Sequence, residues 1–136
     1  YTAKAEELKS YPFTLIGVDV EEAQKCMDKN NQTTCFINGN TLLIDLGEER
    51  TITSFHYLPD QSEYNKAVIA AYEISVGTES NAVNQLVAKD EFSNIKNNPI
   101  LQSVYFTPVN ARYVQLKATR MIHDDEPMGL AEIGIQ

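Results

Sequence analysis

The chain contains no tryptophan and only two cysteines, three arginines and six glycines in 136 residues. Without tryptophan, any aromatic platform for a ligand has to come from tyrosine or phenylalanine. Arg50, Arg112 and Arg120 lie far apart, and the formal net charge is -8, so the clustered cations that bind nucleic-acid phosphates are missing. No apolar run approaches the roughly 20 residues that span a bilayer, which argues against membrane insertion. The n- and h-regions of a secretion signal are not found at Tyr1, so the expectation is either a cleaved leader or a domain from a longer protein. The second is preferred, with residues 1–12 as a linker segment and 13–136 as the module.

Cys26 and Cys35 flank an acidic, amide-rich loop, Asp28-Lys29-Asn30-Asn31-Gln32-Thr33. Two readings stay open for them: a disulfide closing that loop, or two small buried apolar side chains. Two cysteines and two distant histidines do not make a zinc spacing. The loop's carboxylate, amides and hydroxyl are the oxygen donors a hard cation such as calcium takes, and a single carboxylate, Glu132, lies in the last β-like segment.

What the chain does have is β patterning. Strands are expected over 13–20, 41–46, 51–58, 68–76, 85–92, 101–106, 112–118 and 130–135, with one helical turn over 21–27. The segment Arg112-Tyr113-Val114-Gln115-Leu116-Lys117-Ala118 alternates with period two, and Thr51 to Leu58 alternates until Pro59. About eight strands at regular spacing and almost no helix predict an all-β fold, an antiparallel eight-stranded β-sandwich of jelly-roll type.

Catalysis is not expected of this domain. Asp124, Asp125 and Glu126 sit side by side in one polar loop and do not form two carboxylates facing each other across a cleft. His56 falls inside a strand, as a packed structural histidine does. No Gly-rich phosphate loop and no recognisable nucleophile motif accompanies it.

Five segments in order resemble the F5/8 type C (discoidin) family and its carbohydrate-binding branch, carbohydrate-binding module family 32. They are Leu43-Ile44-Asp45-Leu46-Gly47, Tyr57-Leu58-Pro59, Tyr72-Glu73-Ile74-Ser75-Val76, Ala111-Arg112-Tyr113-Val114-Gln115-Leu116 and Ala131-Glu132-Ile133. The stretch Glu91 to Pro99 further resembles the accessory C-terminal domains of secreted bacterial glycoside hydrolases of Bacteroides type, α-L-fucosidases and β-N-acetylhexosaminidases (chitobiases).

The resemblance implies a galactose-binding-like jelly roll with a structural calcium. Carboxylates of Asp28 and Glu132, the hydroxyl of Thr33 and the carbonyls of Lys25, Asn30 and Ala131 would hold the ion. The family's loop glycine is Lys29 here, and its tryptophan is Cys35. At the sugar site the family's His becomes Phe36 and its Arg becomes Asp60, while its Asn is retained as Asn65. The last loop offers only Pro127 and Met128 in place of an aromatic. Galactose in the usual pose is therefore not expected. A shifted specificity would use Phe36 or Tyr64 for stacking and Asp60, Asn65, His123 and Asp124 for hydroxyls.

The resemblance implies a glycan as partner, together with the module's own catalytic domain, in a secreted, periplasmic or cell-surface setting. The alternatives are a purely structural module that packs on the catalytic domain and, last, a protein or cell-surface adhesion domain using Met121, Ile122 and Met128.

Overall fold

A computed structural model describes residues 10–25, 34–37, 39–59, 68–92, 101–122 and 128–136. The elements in chain order are β1 (Thr14–Ile16), α1 (Val20–Gln24), β2 (Cys35–Ile37), β3 (Thr41–Leu58), β4 (Ile69–Gly77), β5 (Gln85–Glu91), β6 (Gln102–Met121), β7 (Met128–Leu130) and β8 (Glu132–Ile135). Every strand pairing is antiparallel. Six strands form one sheet in the order β1-β3-β6-β4-β5, with β8 beside β3, and β2 pairs with β7 separately. The long strand β3 serves two neighbours on one edge, β1 along 43–45 and β8 along 55–58. This is the antiparallel β-sandwich expected.

Alternation explains the core. Leu42, Ile44 and Leu46 on β3 are buried, and so are Val114, Leu116 and Ala118 on β6. Register then lines up Leu42–Leu116–Ile74 and Ile44–Val114–Val76 as rows across β3, β6 and β4. Each such side chain contributes roughly 1.5–3 kcal/mol by leaving water. β7 and β8 bring Met128, Leu130, Ile133 and Ile135 to the same core. Beside it Phe92 stacks on Tyr72 at 4.6 Å and on Tyr57 at 5.5 Å between ring centroids.

Several boundaries differ from the sequence expectation. The segments 41–46 and 51–58 are one strand, because Gly47 marks a bulge and not an end. Its φ of 85° is the left-handed conformation that glycine adopts without strain, and Asp45 Oδ1 accepts the Gly47 N–H at 2.8 Å. The β3–β6 register shifts between Asp45 and Arg50 as a result.

The segments 101–106 and 112–118 likewise join as β6, even though Pro108 lies between them. Pro108 falls where the β3–β6 register shifts between Ile52 and Ser54, a place where no ladder donor is demanded of it. The expected first strand, 13–20, is cut to β1 by Gly17 at φ 79°, and Asp19 then begins α1. Helix α1 spans 20–24 and not 21–27. The final strand divides at Ala131 into β7 and β8.

Candidate functional site

Helix α1 and strand β2 meet at one end of the sandwich. The Glu22 carboxylate accepts the backbone N–H of Phe36 through Oε1 at 3.2 Å and pairs with Lys25 Nζ through Oε2 at 2.9 Å. The hydrogen bond from Lys25 is the main cause holding the Glu22 carboxyl below its ordinary pKa, with the Phe36 N–H adding to it against the penalty of burial. The edge of β2 is thus tied to the helix, while its other edge pairs with β7, Phe36 opposite Gly129.

Period two turns Cys35 and Ile37 into the core and leaves Phe36 44% exposed. An exposed phenylalanine on a short, doubly anchored strand is a rigid apolar platform. A cavity of about 380 Å³ opens beside it, lined by Ile16, Val18, Asp19, Glu22 and Thr41 among others.

The Gly129 backbone next to Phe36 is held from below. The buried Tyr57 hydroxyl donates to the Gly129 carbonyl at 3.1 Å and accepts the Ile69 N–H at 3.2 Å. One side chain of β3 therefore positions both β7 and the start of β4.

Of the residues proposed for sugar binding, Phe36 is described; Asp60, Tyr64, Asn65, His123 and Asp124 lie outside the described residues, as do Pro127 and three of the cation-site residues, Asp28, Asn30 and Thr33. Of the other three, Lys25 is the C-cap of α1, Ala131 is fully buried and its N–H donates to Leu58 O at 2.9 Å, and Glu132 sits opposite Leu58 at 1% exposure. A carboxylate buried this deeply requires compensating charge or hydrogen bonds, which is the environment of a cation ligand as well as of a structural acid. Among the described residues alone, no cluster of three or more His, Cys, Asp or Glu side chains could hold a metal ion. Cys35 is buried in β2, and the question of its pairing with Cys26 falls on a residue outside the described set.

His56 is buried in the sheet with Nδ1 2.8 Å from Ser103 Oγ and Nε2 3.2 Å from Ser54 Oγ. Burial holds its pKa below the ordinary histidine value, opposed by a hydrogen bond with Gln136. Two serine hydroxyls on a buried ring describe a structural histidine, as its place in a strand predicted.

The sequence reading missed Ile16, Asp19 and Glu22 as neighbours of Phe36, because it ran the first strand through to Val20. The available signal was Gly17 followed by Asp19 and two glutamates, the pattern of a turn and a helix N-terminus.

Known proteins share this fold. Residues 19–133 match the F5/8 type C domain model. The module CpGH89CBM32-5 from Clostridium perfringens, solved with GalNAc-β-1,3-galactose, superposes with a TM-score of 0.73 at 18% identity, covering 91% of this chain and 93% of that one. The family 32 module of Clostridium perfringens NanJ, solved with galactose, gives 0.70 at 20% identity, covering 91% of both chains. A glycoside hydrolase 29 family member from an unknown rumen bacterium gives 0.69 at 30% identity over 89% of this chain but 21% of that longer one. No curated protein sequence gives a significant match. The match spans most of the chain and the same β-sandwich underlies all three structures: the chain belongs to the F5/8 type C domain family.

Proposed function

We infer that this domain is a non-catalytic carbohydrate-binding accessory module of an exported glycoside hydrolase. The observation that carries this reading is Phe36, a half-exposed aromatic residue held between α1 and β7, at the position that the resemblance aligns with a sugar contact of the family. An apolar ring stacks on the apolar face of a pyranose, and nearby carboxylates and amides take its hydroxyls. Related modules solved with galactose and with GalNAc-β-1,3-galactose support a glycan ligand.

The 30% identical stretch inside a glycoside hydrolase 29 family member supports a glycoside hydrolase as the parent enzyme; its fucosidase or hexosaminidase type and its place outside the cell rest on the sequence resemblance. In such a chain the module raises the effective concentration of the catalytic domain at its glycan. Asp60, Tyr64, Asn65, His123 and Asp124 complete the rim in this reading. Calcium held by Asp28, Thr33 and Glu132, with the carbonyls of Lys25, Asn30 and Ala131, supplies a crosslink and no chemistry. The donor set is all oxygen, as that ion requires.

Retardation on native gels containing galactose-, fucose- and N-acetylhexosamine-bearing polysaccharides tests the reading. Retardation that Phe36→Ala abolishes supports it; unchanged mobility in every gel defeats it.

One observation favours the structural alternative. Tyr105 is 74% exposed and packs edge-on against His56, with ring centroids 6.1 Å apart. A large exposed ring over a packed polar network suits a surface that rests on the catalytic domain, and both roles fit one module.

A further inference from the structure

Exposed large apolar side chains fall into two sets among the described residues. Ile16, Val20 and Phe36 stand on β1, α1 and β2, while Leu86 and Tyr105 stand on β5 and β6. β1 and β5 are opposite ends of the strand order, and the cavity beside Phe36 shares no lining residue with the one beside Leu86.

The β3–β6 register accounts for the second set. Between the pairs Ile52–Val109 and Ser54–Tyr105, β3 has one residue and β6 has three. The surplus on β6, Phe106-Thr107-Pro108, is accommodated as a bulge. This bulge faces the start of β5 across a groove of about 240 Å³, whose apolar lining is Leu86, Val87, Phe106, Pro108 and Val109.

Neither wall of the groove carries a charge. Residues 80–88 and 101–111 hold no Asp, Glu, Lys or Arg, in a chain that is 22% charged with a net charge of -8. Depletion of charge around exposed tyrosine and aliphatic side chains is the composition of a protein–protein interface core. The strand edge tells the same. β5 ends the strand order and pairs with β4 alone among the described residues. Lys89, Asp90 and Glu91 put charge on one half of it, as free edges usually carry, but Gln85 to Ala88 have none.

The size of the strip decides what covers it. Residues 85–87 and 105–109 fall well short of the roughly 20–30 residues a side that hold two free proteins together. A domain on the same polypeptide needs less, because tethering keeps it at millimolar effective concentration. In the glycoside hydrolase 29 relative the matching stretch is 21% of the chain, so a neighbour several times its size is tethered to it.

We propose that the β5–β6 groove is the surface on which the catalytic domain of the same polypeptide docks. That domain seats a neutral, apolar loop against Leu86 and Pro108 and leaves Phe36 open to glycan. The proposal rests on the accessory-module reading and deepens it by naming the face that the parent enzyme covers.

The test compares amide hydrogen exchange in the full-length polypeptide encoded by the gene with exchange in this chain alone. Peptides over 85–88 and 105–110 should exchange about tenfold or more slowly in the full-length polypeptide, while 35–37 exchange alike in both. Leu86→Asp and, separately, Thr107→Lys should remove that added protection. Both side chains are exposed and neither belongs to the core, so each variant of this chain alone should keep the wild-type melting temperature. Sedimentation of this chain alone should show a monomer at micromolar concentration.

Equal exchange in the two contexts overturns the docking face and leaves the accessory-module reading standing. A dimer of this chain alone that Leu86→Asp dissociates also overturns it, because a second copy is then the occupant. A full-length polypeptide without a glycoside hydrolase domain sinks both.

Discussion

The Glu22 carboxylate accepts the Phe36 backbone N–H at 3.2 Å across fourteen residues of chain, and this bond joins the only described helix to the strand that carries the exposed ring. Glu22→Ala removes it and leaves an edge N–H to water. The expected loss is about 0.5–1 kcal/mol, small because the carboxylate is partly exposed. Thermal melts check the stability change. Amide exchange at Phe36 should quicken while the β3–β6 ladder keeps its protection.

Tyr57→Phe should cost more. The hydroxyl it deletes serves two buried backbone groups, Ile69 N–H and Gly129 C=O, and leaves both unsatisfied. We expect a loss of about 1–3 kcal/mol by denaturant titration, together with weaker glycan binding through the loosened neighbour of Phe36.

The rows across β3, β6 and β4 set the stability of the whole sandwich. Leu116 lies between Leu42 and Ile74, all three buried. Leu116→Ala should lower the unfolding free energy by about 2–5 kcal/mol, with an unchanged denaturant m-value.

How much of this could be read beforehand depended on where side-chain periodicity was uninterrupted. Residues 112–118 and 51–58 alternate with period two, and both lie in strands as expected. Gly47 and Pro108 read as terminators because local propensity disfavours both in a strand. Tertiary pairing overrode that by placing each at a register shift, where the irregular backbone is tolerated. Phe36 was identified through its neighbours in the family pattern. Its acidic companions Asp19 and Glu22 were not, because a five-residue helix leaves almost no periodic signature.

His56 gives a pH dependence whose sign follows from its environment. Burial depresses its folded-state pKa below the unfolded value, so the neutral ring's contribution is fully present above the unfolded pKa, about 6.5. It is lost as pH falls from there through the folded value. Melting temperature should therefore drop between about pH 7 and 5, and His56→Gln should flatten that part of the curve. Asp45 and Glu22, both depressed by cationic partners, lose their contributions only lower, as pH falls from the ordinary carboxylate range through their folded values.

Calcium should act on stability and not on chemistry. Chelation is expected to lower the melting temperature and added calcium to restore it. Asp28→Ala should lack the response, and Glu132→Gln should lose most of it. A wild-type melt indifferent to chelator contradicts the cation site and leaves the glycan site untouched.

The most direct test of the central claim is a glycan array probed in parallel with the wild type and Phe36→Ala, after both are shown to fold by circular dichroism. The account predicts that the wild type retains at least one class of glycan and that the variant loses it. Wild-type silence across the array, or retention that Phe36→Ala leaves intact, would contradict it.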